Sequence, residues 1–376
     1  MTEAMILFLH NSYRTTGGEE RVVEDLLWLV REGLGEPAEL LARDSAGLAR
    51  TRASAGLLRG GLAPREVASA VRMTKARIVH AHNLHPTLGW RSLAGARESG
   101  ARVVVHLHQY RLVCAVGVCF TRGDECTRCH GRNTLPGVLR NCRGSRAQAL
   151  TYAAALALWQ RRIVELADEL IVPSQFALER LLELGAPLAD RRVHVLAPPL
   201  REFAERSRAQ QGTYALVVSR LAPEKGVDVA IAACQAAGLP LVIAGEGPDL
   251  QRLRTLAGAS EVSFLGAVSR ERLSQLRAGA SMALIPSRSA ETFGLSAAEA
   301  MAAGLPVAAS AIGALRELVC EEGLVDPGDP GAMAGAIGRL NADRAAGERS
   351  LARVRGLCAP EVAARALNAV YDACES

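Results

Sequence analysis

Two successive series of short apolar runs, interleaved with helix-patterned stretches, set the strongest limit on what this chain can fold into. The first comprises Met5 to His10, a helix from Glu19 to Arg31, strands Ile78 to His82 and Arg102 to His106, a helix near Leu150 to Ala167, then strands Glu169 to Val172 and Val193 to Leu196. Ala197-Pro198-Pro199 interrupts the pattern. It restarts with Tyr214 to Ser219, a helix Val227 to Ala237, Leu241 to Ala244, a helix Leu250 to Ala257, Val262 to Leu265, a helix Arg270 to Arg277, Met282 to Ile285 and Val307 to Ser310. Strands alternating with helices specify parallel sheets covered on both faces. At 376 residues the chain exceeds one ordinary core. The expected fold is α/β: two Rossmann-like, doubly wound domains, 1–197 and 198–358, facing across a cleft, with segment 359–376 crossing back to the first.

The net charge of +5 rests on arginine, since Lys75 and Lys225 are the only lysines. That charge is spread along the chain and aromatics make up only 4%, which argues against a nucleic-acid partner. No window approaches the ~20 apolar residues of a membrane span. The first residues lack a basic start and a long apolar run, so a cytoplasmic location is expected. Ala149 to Trp159 is apolar and bracketed by Arg143, Arg146, Arg161 and Arg162, a pattern that fits a buried helix or a peripheral contact with the inner membrane face.

The densest chemistry lies in Glu291-Thr-Phe293-Gly294-Leu295-Ser-Ala-Ala-Glu299, which sets two carboxylates eight positions apart around a Gly-containing turn. With Phe293-Gly294 opening the helix, Glu291 stays in the preceding loop and both acids can address one ligand. Free N–H groups at that helix start favour an anion, so sugar hydroxyls beside a phosphate are the natural occupant. Three further loops follow strands. Gly17-Gly18 opens the first helix; Arg220 and Lys225, five apart across Pro223, suit a diphosphate; Gly245-Glu246-Gly247 lets a flat base lie against backbone.

In this order, Arg220 to Gly226, Gly245 to Pro248, Phe264-Leu-Gly266, Pro286-Ser287, Glu291 to Glu299 and Gly304-Leu-Pro306-Val307 resemble the retaining glycosyltransferases of family 4 with the GT-B fold. The resemblance implies transfer of a hexose-type sugar from a nucleotide diphosphate donor, UDP preferred over GDP, to an acceptor hydroxyl by a same-face mechanism. It implies that Arg220 and Lys225 hold the diphosphate, Glu299 the ribose and Glu291 the donor sugar. The backbone of Phe293, Gly294 and Leu295 would assist, and Gly17 and Gly18 would add N–H groups. His108 matches the histidine placed near the transferring sugar, although Gln109 stands where the family often has Asp or Asn. His106 reads as a strand-end packing residue. Tyr13, His82 and Asn83 fall where acceptor contacts are expected, close to His80 and His85. No D-x-D pair occurs, so no catalytic divalent metal is expected.

Cys114, Cys119, Cys126, Cys129 and Cys142 fall within 29 residues. Cys126-x-x-Cys129 is a zinc half-site that Cys114 and Cys142 could complete, with His130 as a substitute ligand; reduced thiols and an iron–sulfur cluster are the alternatives. Two rival functions stand beside transfer: a GT-B nucleotide-sugar epimerase or hydrolase, and a non-catalytic nucleotide-sugar or nucleic-acid binding module.

Overall fold

Ile6 to Leu9 carries no polar alternation, the signature of a strand covered on both faces, and all four residues are buried. They lie in β1 (Met5–Ser12), followed by β2 (Ala38–Asp44), β3 (Ala76–Ala81), β4 (Arg102–His106), a hairpin of β5 (Phe120–Thr121) and β6 (Asp124–Glu125), then β7 (Glu169–Val172) and β8 (Val193–Val195). The second series is β9 (Tyr214–Val218), β10 (Leu241–Ala244), β11 (Val262–Phe264), β12 (Ala280–Ile285), β13 (Val307–Ser310) and β14 (Leu324–Val325). The computed structural model describes residues 5–12 and 17–375. It divides into two units: Met1–Cys119 with Cys126–Pro199 and Pro360–Ser376, and Phe120–Glu125 with Leu200–Ala359.

In the first unit the strands run β2-β1-β3-β4-β7-β8, all parallel. In the second they run β11-β10-β9-β12-β13-β14, again all parallel. Each order reverses direction once, between β1 and β3 and between β9 and β12. At such a switch point adjacent loops leave the strand ends in opposite directions and open a crevice, where open α/β sheets bind ligands. Buried aliphatic side chains of the strands and their covering helices form a separate core in each unit.

Departures from expectation are local. β2 was not anticipated, because only Ala38 of its seven residues is buried and an exposed edge strand carries little apolar signal. The first α-helix, Gly18–Trp28, continues as a π-helical turn, Leu29–Gly33. The terminal helix Pro360–Glu375 packs on β4 and β7, and Tyr371 on it is fully buried with its Oη 2.8 Å from His80 Nδ1.

Candidate active site

At the switch point of the second unit the loops after β9 and β12 are tied together. The chain leaves β9 at Val218, makes a single turn over Pro223–Lys225 and enters helix Val227–Ala237 at Gly226. Gly226 has φ +61°, and a Cβ there would stand 2.0 Å from the Pro286 carbonyl oxygen. Glycine alone permits this approach. The Arg288 amide donates to the Glu224 carbonyl (2.8 Å), and the Arg288 guanidinium forks onto both oxygens of Asp228 (2.8 and 2.9 Å). Lys225 Nζ reaches Glu291 Oε1 at 2.7 Å, and Ser287 Oγ donates to the same oxygen at 2.6 Å. Arg220 pairs with Glu224 while its side chain stays 54% exposed, so its guanidinium remains open to a solvent-borne anion.

Burial alone would push the Glu291 carboxyl up. The Lys225 ammonium, the hydrogen bonds from Lys225 and Ser287 and the nearby Arg220 charge outweigh it and hold the group below the usual carboxylate range. Glu291 is therefore a carboxylate at neutral pH, fixed in direction and suited to accept hydrogen bonds from hydroxyls.

Gly294 has φ +98° and opens helix Leu295–Ala302; a Cβ there would stand 2.6 Å from Leu315. Phe293 is buried and Leu295 half-buried. Glu299, on the second turn of this helix, is buried and pairs with Arg277 of helix Arg270–Gly279, itself 9% exposed. The Gly245 and Gly247 positions lie against backbone: a Cβ would meet Ser219 O at 1.9 Å and Leu221 O at 2.1 Å. Glu246 is exposed, and its carbonyl accepts from the Leu221 amide at 2.8 Å. The second unit thus brings Arg220, Lys225 and Glu291 together after β9 and β12, with Phe293, Gly294 and Leu295 at the start of the helix that follows, the Gly245–Gly247 loop against the backbone of Ser219 and Leu221, and Glu299 farther along that helix on Arg277. Sequence reasoning missed Ser287, Asp228, Arg288 and Arg277. An arginine in the last turn of a helix ordinarily reads as a dipole partner in solvent, so Arg277 gave no sign of its burial.

In the first unit, the Gly17 amide donates to the Glu20 carboxylate (2.8 Å), and Gly18 begins the helix. Tyr13 lies outside the described residues. His108 is half-buried, with Nε2 2.8 Å from His82 Nδ1; burial pushes its imidazole down to about 3, the His10 charge adding to this and Glu20 opposing it. His82 and Asn83 are buried. His82 stacks among His80, His106 and His108, and Asn83 spends its amide on the Asn11 carbonyl and the His85 amide. Gln109 bonds Glu19 (3.1 Å) and Arg111 (3.1 Å), and His82 is a hydrogen-bond partner of His108. His106 is buried at the end of β4.

The expected four-thiolate set is not assembled. Among the described residues, the one group of three or more such side chains with ligand atoms within 4.8 Å of one another is His80, His82 and His106, and Cys114, Cys126, Cys129 and Cys142 form none. Cys114 is hydrogen-bonded to Cys119, which, against burial and together with backbone N–H groups, holds its thiol down to about 6. Cys126 and Cys142 remain partly exposed.

The 4-like glycosyl transferase domain model matches residues 14–199 and the glycosyl transferases group 1 model matches 201–353. A D-inositol 3-phosphate glycosyltransferase of Acidothermus cellulolyticus is 34% identical over 211 residues, covering 47% of this chain and 46% of that protein. A GDP-mannose-dependent alpha-mannosyltransferase of Mycobacterium tuberculosis is 34% identical over 177 residues, covering 45% and 46%. The chain spans about half the length of the curated relatives it matches. Among solved structures, Anabaena HepE in complex with UDP superposes with TM-score 0.65 at 17% identity, covering 98% of this chain and 99% of that one. Sucrose-phosphate synthase from Thermosynechococcus elongatus gives 0.69 at 20%, covering 98% of each. Matched by these two models along most of its length and sharing the fold of such enzymes, the chain belongs to the family 4 glycosyltransferases and has the GT-B fold.

Proposed function

We propose that this protein transfers a glycosyl group from a UDP- or GDP-sugar to an acceptor hydroxyl with retention of anomeric configuration. The observation that carries the reading is the Lys225–Glu291–Ser287 cluster at the switch point of the second unit, with Arg220 beside it. Lys225 and Arg220 neutralise the charge that grows on the diphosphate as the bond from the anomeric carbon to its oxygen breaks. The leaving phosphate oxygen takes the acceptor proton on the same face where the new glycosidic bond forms. Glu291 holds donor-sugar hydroxyls, Glu299 the ribose, and the Gly245–Gly247 loop lies under the base. Two fixed cations supply the charge compensation that a divalent metal gives elsewhere, so the chemical step is assigned no metal.

Relatives are named for GDP-mannose and for inositol phosphate, so the assay pairs UDP- and GDP-sugars with polyol, sugar-phosphate and lipid-linked acceptors. Acceptor-dependent release of nucleoside diphosphate, with a product of unchanged anomeric configuration by NMR, is expected. Equal turnover without acceptor would favour the hydrolase or epimerase, and inversion would reject the same-face mechanism.

A peripheral membrane contact has its own support in the first unit. Leu135, Leu139, Leu150 and Leu158 are each more than half exposed on the contacting helices Leu135–Leu139 and Arg146–Leu166, beside exposed Arg146, Arg161 and Arg162. No described helix is long and apolar enough to cross a membrane. Co-sedimentation with phosphatidylglycerol vesicles but not phosphatidylcholine vesicles is expected, and Leu139→Asp/Leu150→Asp should abolish it. Failure to bind either vesicle would remove this contact.

A further inference from the structure

His80, on β3, and His82, just past its end, project to one side of the sheet, and His106 closes the neighbouring β4. All three rings are buried, at 0, 4 and 2% exposure. Two of them have one nitrogen engaged: His80 Nδ1 with Tyr371 Oη and His82 Nδ1 with His108 Nε2, each at 2.8 Å. His80 Nε2, His82 Nε2 and both nitrogens of His106 are sealed from solvent with no hydrogen-bond partner. Native interiors rarely leave buried polar atoms in that condition, and four in one place call for an occupant.

Each of the three residues offers a ring nitrogen, and these nitrogens lie within 4.8 Å of one another. At that limit, the centre of the triangle is about 2.8 Å from each nitrogen, so inward shifts of about 0.7 Å reach the zinc–nitrogen bond length. The rings lie close together, with centroids 4.5, 5.4 and 5.6 Å apart, but they are stacked or tilted at interplanar angles of 25°, 30° and 8°, so they must also rotate to aim their lone pairs at one ion. The engaged nitrogens supply the outer hydrogen bonds that orient metal-binding histidines. With no carboxylate or thiolate in the trio, the donor set suits a borderline first-row cation and not magnesium or calcium.

We propose that His80, His82 and His106 form a buried tris-imidazole site for one divalent transition-metal ion, zinc foremost, joining the ends of β3 and β4 beneath His108. Water fills the fourth position. A metal on His82 Nε2 keeps the His82 proton on Nδ1, which donates to His108 Nε2, so His108 carries its own proton on Nδ1. The site therefore fixes the tautomer of His108, and metal binding does not depend on the proposed transfer.

The test is elemental analysis of the full chain purified without chelator, followed by cobalt(II) substitution. About one zinc per chain is expected, with a cobalt spectrum that has d–d bands and no thiolate-to-cobalt charge-transfer band. His106→Gln should lose the metal, whereas Cys126→Ser/Cys129→Ser should keep it. No stoichiometric metal, full retention by a folded His106→Gln protein, or a thiolate band would overturn the assignment; the last would place the ion on the cysteines. Should His106→Gln fail to fold, the wild-type cobalt spectrum decides between nitrogen and sulfur ligands.

Discussion

Lys225→Ala is expected to lower kcat by about 10²–10³-fold while weakening nucleoside diphosphate binding much less. The ammonium sits 2.7 Å from Glu291, and with Arg220 it forms the positive pole at the ends of β9 and β12. A charge that counters growing negative charge on the leaving diphosphate acts more on the transition state than on the ground state. Lys225→Arg should not restore full rate, because a planar guanidinium does not reproduce the compact point charge that Lys225 sets against Glu291 Oε1. Steady-state kinetics alongside calorimetric titration of the diphosphate separates the two effects. A kcat within about threefold of wild type would remove Lys225 from the chemistry.

The second large effect concerns Arg277 and Glu299, a buried pair with both side chains under 10% exposed. Arg277→Met should destabilise the protein by about 3–5 kcal/mol, since the carboxylate then stays in the interior without its guanidinium. Adding Glu299→Gln should recover most of that stability. It should not recover nucleotide affinity, because the ribose contact assigned to Glu299 needs the carboxylate as well as the packing. Urea unfolding read beside nucleotide titration distinguishes the outcomes. Full recovery of both in the double variant would make the pair purely structural.

Much of this was legible in the residues. The apolar runs located most of the strands because parallel strands covered on both faces carry continuous hydrophobicity, whereas β2, with one buried residue, and the two-residue β14 did not register. Glu291, Glu299, Arg220 and Lys225 stand out in the sequence by their spacing and by the resemblance that it carries. Their partners do not. Arg277 meets Glu299 across 22 residues and Lys225 meets Glu291 across 66, distances at which only sheet register decides who touches whom. Spacing offers the cysteines as a tetrahedral set; the chain sets Cys119 against Cys114, keeps Cys129 near Cys114 and Cys126, and leaves Cys126 and Cys142 partly exposed. His82 and Asn83 follow β3 and are buried; Asn83 ties the loop to β1 and His82 is bonded to His108.

Calorimetric titration of UDP and GDP into the wild-type chain and into Glu299→Ala tests the central claim most directly: the switch point of the second unit is a nucleoside diphosphate site. Saturable binding of at least one of the two nucleotides is predicted, weakened by about tenfold or more in a Glu299→Ala protein that remains folded, as expected when a hydrogen bond to a charged group is lost. Binding of neither nucleotide, or equal affinity in the two proteins, would contradict it.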